Sequence, residues 1–416
     1  MKPISVNPFK LSQPMGATLA FLGVKNCMPL MHGAQGCASF TKVFFTRHFN
    51  DPIAIQTTAV NDITAVFDGG EYGITTAVQN ITKKITPDLI GLFSTGLTET
   101  KGDDLRGSAS KLEIPNVWVN TPDFEGGFES GWALSVTAMI EQLCAEQSDI
   151  KKGRATILPH VSMSPLDVER LKEFLEDFGF CEVFALPDIS TSLDGFLGEK
   201  QGAMSAGGIA VKDIENLSNS EVVVAIGASM QNSLSALKTK NPNIKAITTF
   251  SLGGLEATDN FVSSLLELGY KPNEKIKRWR ARLQDALLDT HFNIGKARFL
   301  IALEPDQAVG ISQTLCEAGA KIEQIVVPNK CDIQVICDKN VSVGDMEDVA
   351  KNTANIDAIV TNEHGKRIAS INHKVLIIRG FPIFDTVGSA LKSDILYEGS
   401  CNILFECANA LEHSHE

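Results

Sequence analysis

The strongest constraint in this sequence is a rhythm. Short, nearly all-apolar runs with strand composition recur along the chain, and each is followed by a stretch with helical spacing. A strand whose every residue is apolar needs cover on both faces, which parallel sheets flanked by helices provide. From residue 88 onward the pattern reads as strand 88–93, helix 103–112, strand 116–119 and helix 129–144. A polar break at 146–153 follows, and the series restarts with strand 155–158. Helix 165–178 comes next, with Ser164 as its N-cap and Pro165 in its first position. Strands 182–186, 221–226 and 245–250 continue it. A long helix over 273–292 carries Ile276, Trp279, Leu283 and Leu287 on one stripe. Its basic residues Lys275, Lys277, Arg278, Arg280 and Arg282 fall off that stripe and read as a solvated face. A third series has strand 298–303, a helix to Gly319, strand 323–327, strand 375–378 and a C-terminal helix.

The expected fold class is therefore α/β, with three Rossmann-like units built on mostly parallel sheets. The units are expected at 1–150, 151–293 and 294–416. The chain's 416 residues suit that number, since one hydrophobic core stops growing near roughly 250–300 residues. No internal repeat is strong enough to make the units duplicates.

Composition removes several functions. A formal net charge of −13 speaks against nonspecific nucleic-acid binding, which needs a basic surface. No apolar run approaches the roughly 20 residues of a membrane span, and the first 14 residues lack the layout of a secretory signal. Nine scattered cysteines do not form a disulfide framework, and a reducing cytoplasm is the expected location. His413 and His415 read as a polar tail.

Familiar catalytic motifs are also missing. No glycine-rich dinucleotide fingerprint or phosphate loop occurs, nor a paired-cysteine or paired-histidine zinc motif or a serine elbow. Cys331 and Cys337 are expected in a strand, where six residues separate them by roughly 20 Å. Cys401 and Cys407 are expected on a helix, about 240° apart around its axis. Neither pair can grip one metal unaided. Cys144, Cys181 and Cys316 read as small core residues.

One stretch has chemical content. Residues 32–37 read His-Gly-Ala-Gln-Gly-Cys, between an apolar segment ending at Met31 and an amphipathic helix expected from about Ala38. Gly33 and Gly36 permit positive φ or close backbone approach. Cys37 then lies at a helix N-terminus, whose free N–H groups and dipole favour a thiolate able to ligate an iron–sulfur cluster. A tight turn followed by a small residue explains the same six residues equally well. Ser94, Thr95 and Gly96 follow a strand end, where open α/β sheets place ligands, or simply turn the chain into the next helix. His32 reads as a packed loop histidine, and Glu99, Asp103 and Asp104 as caps or solvated residues of that helix.

Longer segments carry a resemblance. They are 7–17 (Asn-Pro-Phe-Lys-Leu-Ser-Gln-Pro-Met-Gly-Ala), 28–37 (Met-Pro-Leu-Met-His-Gly-Ala-Gln-Gly-Cys), 42–49 (Lys-Val-Phe-Phe-Thr-Arg-His-Phe) and 56–58 (Gln-Thr-Thr). Further on come 94–100 (Ser-Thr-Gly-Leu-Thr-Glu-Thr), 119–124 (Val-Asn-Thr-Pro-Asp-Phe) and 128–131 (Phe-Glu-Ser-Gly). Near the end stands 379–385 (Arg-Gly-Phe-Pro-Ile-Phe-Asp). In this order, over essentially the whole chain, they resemble the NifN family of the nitrogenase component 1 superfamily. The resemblance implies three Rossmann-like domains and a heterotetramer with a NifE-like subunit, two copies of each. It implies a scaffold that matures the nitrogenase iron–molybdenum cofactor from an iron–sulfur precursor and passes it to the catalytic protein. The expected transient partners are the nitrogenase iron protein, a precursor donor and a cofactor acceptor.

In the related catalytic β subunit three cysteines ligate a shared cluster. The first matches Cys37, and the other two fall at Ile55 and Gly96, which carry no thiolate. The resemblance thus implies one cysteine, Cys37, given to a [4Fe–4S] cluster shared with the partner, with Gly33, Gly36, Ser94, Thr95 and Gly96 around it. The FeMo-co precursor is expected to be bound only transiently. A second reading is a redox-enzyme β subunit, of an alternative nitrogenase or of a nitrogenase-like chlorophyll-pathway reductase. A third is an unrelated small-molecule-binding α/β protein, in which Cys37 and the long motifs have no role.

Overall fold

The computed structural model describes residues 9–45, 53–61, 70–124, 126–196, 202–331, 340–383 and 385–413. Cys337, His415, residues 7, 8 and 384 and the segment 46–49 lie outside the described residues. Three parallel sheets follow one another along the chain.

The first sheet has the order β2-β1-β3-β4, from strands β1 (Cys27–Met31), β2 (Gln56–Thr57), β3 (Leu89–Phe93) and β4 (Asn116–Val119). β1 is the apolar segment that ends at Met31. Its Pro29 argues against a central strand, because proline offers no N–H to a ladder. The position tolerates it because β2 pairs with β1 only at Leu30 and Met31, so Pro29 has no partner on that side. Helix α1 (Gln13–Leu22) is buried on every face. The loop after β1 leads into α2 (Gln35–Phe45), and α3 (Glu71–Thr82) precedes β3. A short helix that was not expected, α4 (Gly96–Lys101), comes first, and the helix expected over 103–112 is the shorter span of α5 (Leu105–Ala109). Gly102, at φ 80°, ends the first, and Asp104 caps the second through the Gly107 N–H. Helix α6 (Phe128–Leu143) packs on α1 at glycine contacts. A Cβ on Gly131 would lie 2.0 Å from the Gln13 carbonyl oxygen, and one on Gly16 would lie 2.0 Å from that of Phe128.

The second sheet, β6-β5-β7-β8, contains β5 (Lys151–Leu158), β6 (Glu182–Ala185), β7 (Ser220–Ile226) and β8 (Lys245–Thr249). β5 begins inside the polar break, because its first residues reach past the core and remain exposed. Helix α7 (Pro165–Asp177) starts as expected, with the Ser164 hydroxyl and Asp167 carboxylate capping each other's backbone N–H. Short α8 (Val211–Glu215) precedes β7, α9 (Gln231–Lys240) precedes β8, and α10 (Leu255–Glu267) and α11 (Glu274–Ile294) follow it. On α11, Ile276 and Leu283 are buried and Trp279 and Leu287 are partly buried. Its basic residues are largely paired at the surface, Lys275 with Asp177 and Arg280 with Asp259, while Arg282 lies over the Trp279 ring.

The third sheet has the order β11-β10-β9-β12-β13. Its strands are β9 (Arg298–Ala302), β10 (Lys321–Val327), β11 (Val341–Val343), β12 (Ala358–Thr361) and β13 (Val375–Ile378). Its helices are α12 (Pro305–Glu317), α13 (Met346–Lys351) and α14 (Gly365–Ile371), and the last helix, α15 (Leu396–Glu412), returns to pack on α11. Cys331 lies in the loop after β10, not in a strand. Cys401 and Cys407 are both buried on α15, and Cys144 is buried. Cys181 is exposed on the turn before β6, a correction to its core reading, because Gly179 carries the chain outward there at φ 100°.

A carboxyl cluster joins the three units. Glu129, on α6, accepts the Asp306 N–H at 3.0 Å. Asp306, on α12, accepts the N–H groups of Ala228 and Ser229 and the Ser229 hydroxyl at 2.8, 3.2 and 2.6 Å. Burial, reinforced by the Asp306 charge, raises the Glu304 carboxyl to about 8 and holds Glu129 well above the usual carboxylate range.

Candidate functional site

The C-terminal ends of β1, β2 and β3 lie side by side, and the loops leaving them are bonded together. The β1 loop is held at His32 and Gly33. The His32 N–H donates to the Phe93 carbonyl at 2.7 Å, and the His32 carbonyl accepts the hydroxyls of Thr95 and Thr98 at 3.1 and 3.0 Å. The Gly33 carbonyl accepts the Thr57 hydroxyl at 2.7 Å and the Val60 N–H at 3.0 Å. The Gly33 N–H donates to Thr58 Oγ1 at 3.2 Å.

The two glycines differ. A Cβ on Gly33 would lie 2.6 Å from Thr95 Cγ2, so glycine there serves close approach. Gly36 has nothing within 4 Å, and neither glycine is among the positive-φ positions. The base of the loop is tightly held and its tip is open. Cys37 sits at that tip, exposed, as the third residue of α2, because the helix starts at Gln35, three residues before the expected Ala38. Its N–H bonds the Ala34 carbonyl and its own carbonyl accepts the Thr41 hydroxyl. Among the described residues no three His, Cys, Asp or Glu side chains are grouped to hold a metal ion.

Ser94 and Thr95 are buried and occupied. The Ser94 hydroxyl accepts the Thr121 N–H at 2.7 Å and bonds Glu99, while Thr95 caps α4 and bonds the His32 carbonyl. Gly96 is the first residue of α4, where a Cβ would meet the Pro122 carbonyl at 3.1 Å. Ile55 is buried in the core. A side chain at 55 therefore serves packing, and one at 96 is crowded by the β4 loop.

Two acidic residues have roles the sequence reading missed. Glu99 binds the Ser94 hydroxyl and does not merely solvate the helix. Asp103 is buried against His32 Nε2 at 2.9 Å and Lys101 at 3.1 Å. Only Asp104 caps. The missed partners were legible as polar residue types near strand ends, but nothing in the local pattern pairs them.

The surface beside Cys37 is apolar. On α2 Phe40 is 70% exposed and Val43 61%, and Leu97 on α4 and Phe124 in the β4 loop are exposed as well. Adjacent exposed aromatic and aliphatic side chains of this kind mark contact surfaces. Among the described residues no helix is long and apolar enough to cross a membrane.

A parallel three-sheet chain with an exposed cysteine at the start of the helix after its first strand defines a class, and comparison with known proteins identifies it. The model of the nitrogenase component 1 type oxidoreductase family matches residues 12–412. A solved chain described as nitrogenase Cp1 at pH 6.5 superposes with a TM-score of 0.94 at 28% identity, covering 100% of this chain and 95% of that one.

Within that class the similarity narrows to cofactor-biosynthesis proteins. The chain is 36% identical to the nitrogenase iron-molybdenum cofactor biosynthesis protein NifN of Rippkaea orientalis, over 100% of this chain and 96% of that protein. It is 37% identical to NifN of Bradyrhizobium diazoefficiens (98% and 90%) and 33% identical to that of Klebsiella pneumoniae (100% and 92%). The chain belongs to the NifN family of nitrogenase component 1 type proteins. That membership supports cofactor biosynthesis over the redox-enzyme reading, and ties the chain to iron–sulfur and FeMo-co chemistry and to assembly with a partner subunit.

Proposed function

We propose that this chain is the β-like half of a scaffold on which the nitrogenase iron–molybdenum cofactor is matured, and that Cys37 is its one ligand to a [4Fe–4S] cluster shared with a NifE-like subunit. The observation that carries the reading is the exposed Cys37 thiol in the first turn of α2, after a firmly held loop and on the same helix as exposed Phe40 and Val43. A cubane cluster takes about four cysteine ligands. The sequence puts Ile55 and Gly96 where the related catalytic subunit has its other two cysteines, so the remaining ligands come from the partner. Phe40, Val43, Leu97 and Phe124 are the surface that the partner covers. Gly33 lets the loop base close onto Thr95, and Gly36 leaves space beside the thiol. Ser94, Thr95 and Gly96 shape the neighbouring wall. The cluster supplies electron transfer, and this chain's residues supply its position and enclosure. The FeMo-co precursor passes through the complex, with the iron protein, the precursor donor and the cofactor acceptor as transient partners.

The test is to co-express the chain with its NifE-like partner, purify the complex without oxygen, and compare wild type with Cys37→Ala. Loss or perturbation of a [4Fe–4S] EPR signal with the complex intact is the expected result. Unchanged iron content and EPR refute the ligand assignment.

A further inference from the structure

A buried hydrogen-bonded chain runs behind the Cys37 loop. Its centre is His32, whose side chain is fully buried. One ring nitrogen, Nδ1, lies 2.9 Å from Thr58 Oγ1, and the other, Nε2, lies 2.9 Å from Asp103 Oδ2. The Thr58 oxygen also takes the Gly33 N–H. Thr58 Oγ1 and Asp103 Oδ2 thus hold the ring through both of its nitrogens. Lys101 completes the line on the far side of Asp103. Gly70 closes over the pair, where a Cβ would be 2.9 Å from Asp103 Cγ and 3.0 Å from His32 Nε2.

This arrangement links the loop after β1, the loop after β2 and the end of α4 through one imidazole. A buried charged pair is a weak source of stability compared with apolar packing of equal volume. It is a good device for fixing direction, as the outer partners of ligating side chains do. The β1 loop is anchored at His32 and Gly33 on one side and, through buried Ala38, Thr41 and Phe45, at α2 on the other, while the Gly36 and Cys37 side is open. Where the thiol points therefore depends in part on how the base is held.

We infer that His32, held between Thr58 and Asp103, is a positioning residue that orients the Cys37 loop toward the partner-facing edge. The inference rests on the reading of Cys37 as a cluster ligand. His32 touches neither the thiol nor the cluster in this role; it acts through the Gly33 backbone. Substitutions that keep the fold but break one link therefore alter the cluster's surroundings without removing it.

The experiment uses the co-expressed complex with three variants, His32→Gln, Thr58→Val and Thr58→Ser. Iron content, EPR g-values of the reduced cluster and its midpoint potential are recorded. Amide exchange across residues 33–37 is followed by mass spectrometry. For His32→Gln and Thr58→Val the expected result is retained iron, changed g-values, a shifted potential and loop exchange at least about tenfold faster, as for loss of one net hydrogen bond in the first and of two, to His32 and to the Gly33 N–H, in the second. Thr58→Ser, which keeps the hydroxyl, is expected to match wild type. If His32→Gln fails to assemble, Thr58→Val decides alone, since it removes only the hydroxyl at nearly constant volume. Wild-type g-values, potential and exchange in Thr58→Val overturn the inference. If Cys37→Ala still abolishes the signal, the ligand assignment survives that outcome. If Cys37→Ala leaves the signal intact, the assignment itself has failed.

Discussion

The contact between α1 and α6 offers a sharp test, because one added methyl group sets two known effects against each other. Alanine in place of glycine inside a helix stabilises by about 1 kcal/mol. At position 131, however, the new Cβ would lie 2.0 Å from the Gln13 carbonyl oxygen and 2.7 Å from Gln13 Cα. Ordinary contact begins at 3.4 Å, so α1 must retreat by about 1.4 Å. Those atoms are backbone and cannot rotate aside. Forced overpacking costs about 1–3 kcal/mol. The retreat also strains the Gln13 bonds to Asp123 and Ser130, at 2.9, 3.1 and 3.0 Å, each worth about 1 kcal/mol net. The clash wins, and Gly131→Ala is expected to destabilise by about 2–4 kcal/mol. Gly310→Ala is the control, a helix glycine whose Cβ meets only the movable Ser251 hydroxyl, at 3.1 Å. It should stay within about 1 kcal/mol of wild type. Urea unfolding of the complex, followed by tryptophan fluorescence, reports on Trp132, which is buried on α6 beside the contact. Equal midpoints for the two variants would show that α1 yields freely and would refute the reasoning.

Asp306→Ala removes the acceptor of three donors from the half-buried Ala228–Ser229 turn, and each hydrogen bond lost to a charged acceptor costs about 1.5–3 kcal/mol. Relief of repulsion on Glu129 and Glu304 offsets part of this, so a net loss of about 2–4 kcal/mol is expected in the same unfolding assay; an unchanged midpoint would show that the turn does not depend on this carboxylate. Asp167 gives a pH dependence, because burial and then the Asp394 charge raise its carboxyl to about 6 from an ordinary 3.8. The folded chain holds this proton longer than the unfolded one, so the contribution is fully present below about pH 3.8 and is lost as pH rises through about 6, some 3 kcal/mol in all. Asp167→Asn should flatten that part of the stability–pH curve, and an unaltered slope between pH 4 and 6 contradicts the assignment.

The α/β architecture was legible because largely apolar, fully buried strands such as β3 and β7 admit few other homes. Helix α7 was readable almost to the residue, since its signals, Ser164, Pro165 and Asp167, all act locally. Elements were misread where a local rule met a tertiary exception. The exposed start of β5 resembled a linker. Helix α4 went unread before the expected helix 103–112, and its end rests on one left-handed glycine, Gly102, which composition alone does not reveal. Cys181 was misplaced because its apolar neighbours pack inward while the turn carries the thiol out.

The candidate site divides the same way, and the division has a physical cause. A thiol at the start of a helix is a local signal that makes Cys37 a candidate, although the six residues alone fit a plain tight turn equally well and the longer resembling segments tip the reading. The frame that aims it is not local, because His32 meets Thr58 across 26 positions and Asp103 across 71. Both partners are common polar residues at strand ends, and only the parallel order β2-β1-β3 brings them to one histidine. The fold thus contributes something a motif cannot carry. It holds the base of a short loop rigidly in three directions while leaving the tip free for a second subunit to complete. A chain that held a whole cluster would need its ligands enclosed by its own core. Under the proposed reading, a chain that shares a cluster calls for one exposed thiol at the edge, and here Ile55 is packed in the core, Gly96 is crowded by Pro122 and Cys37 is exposed.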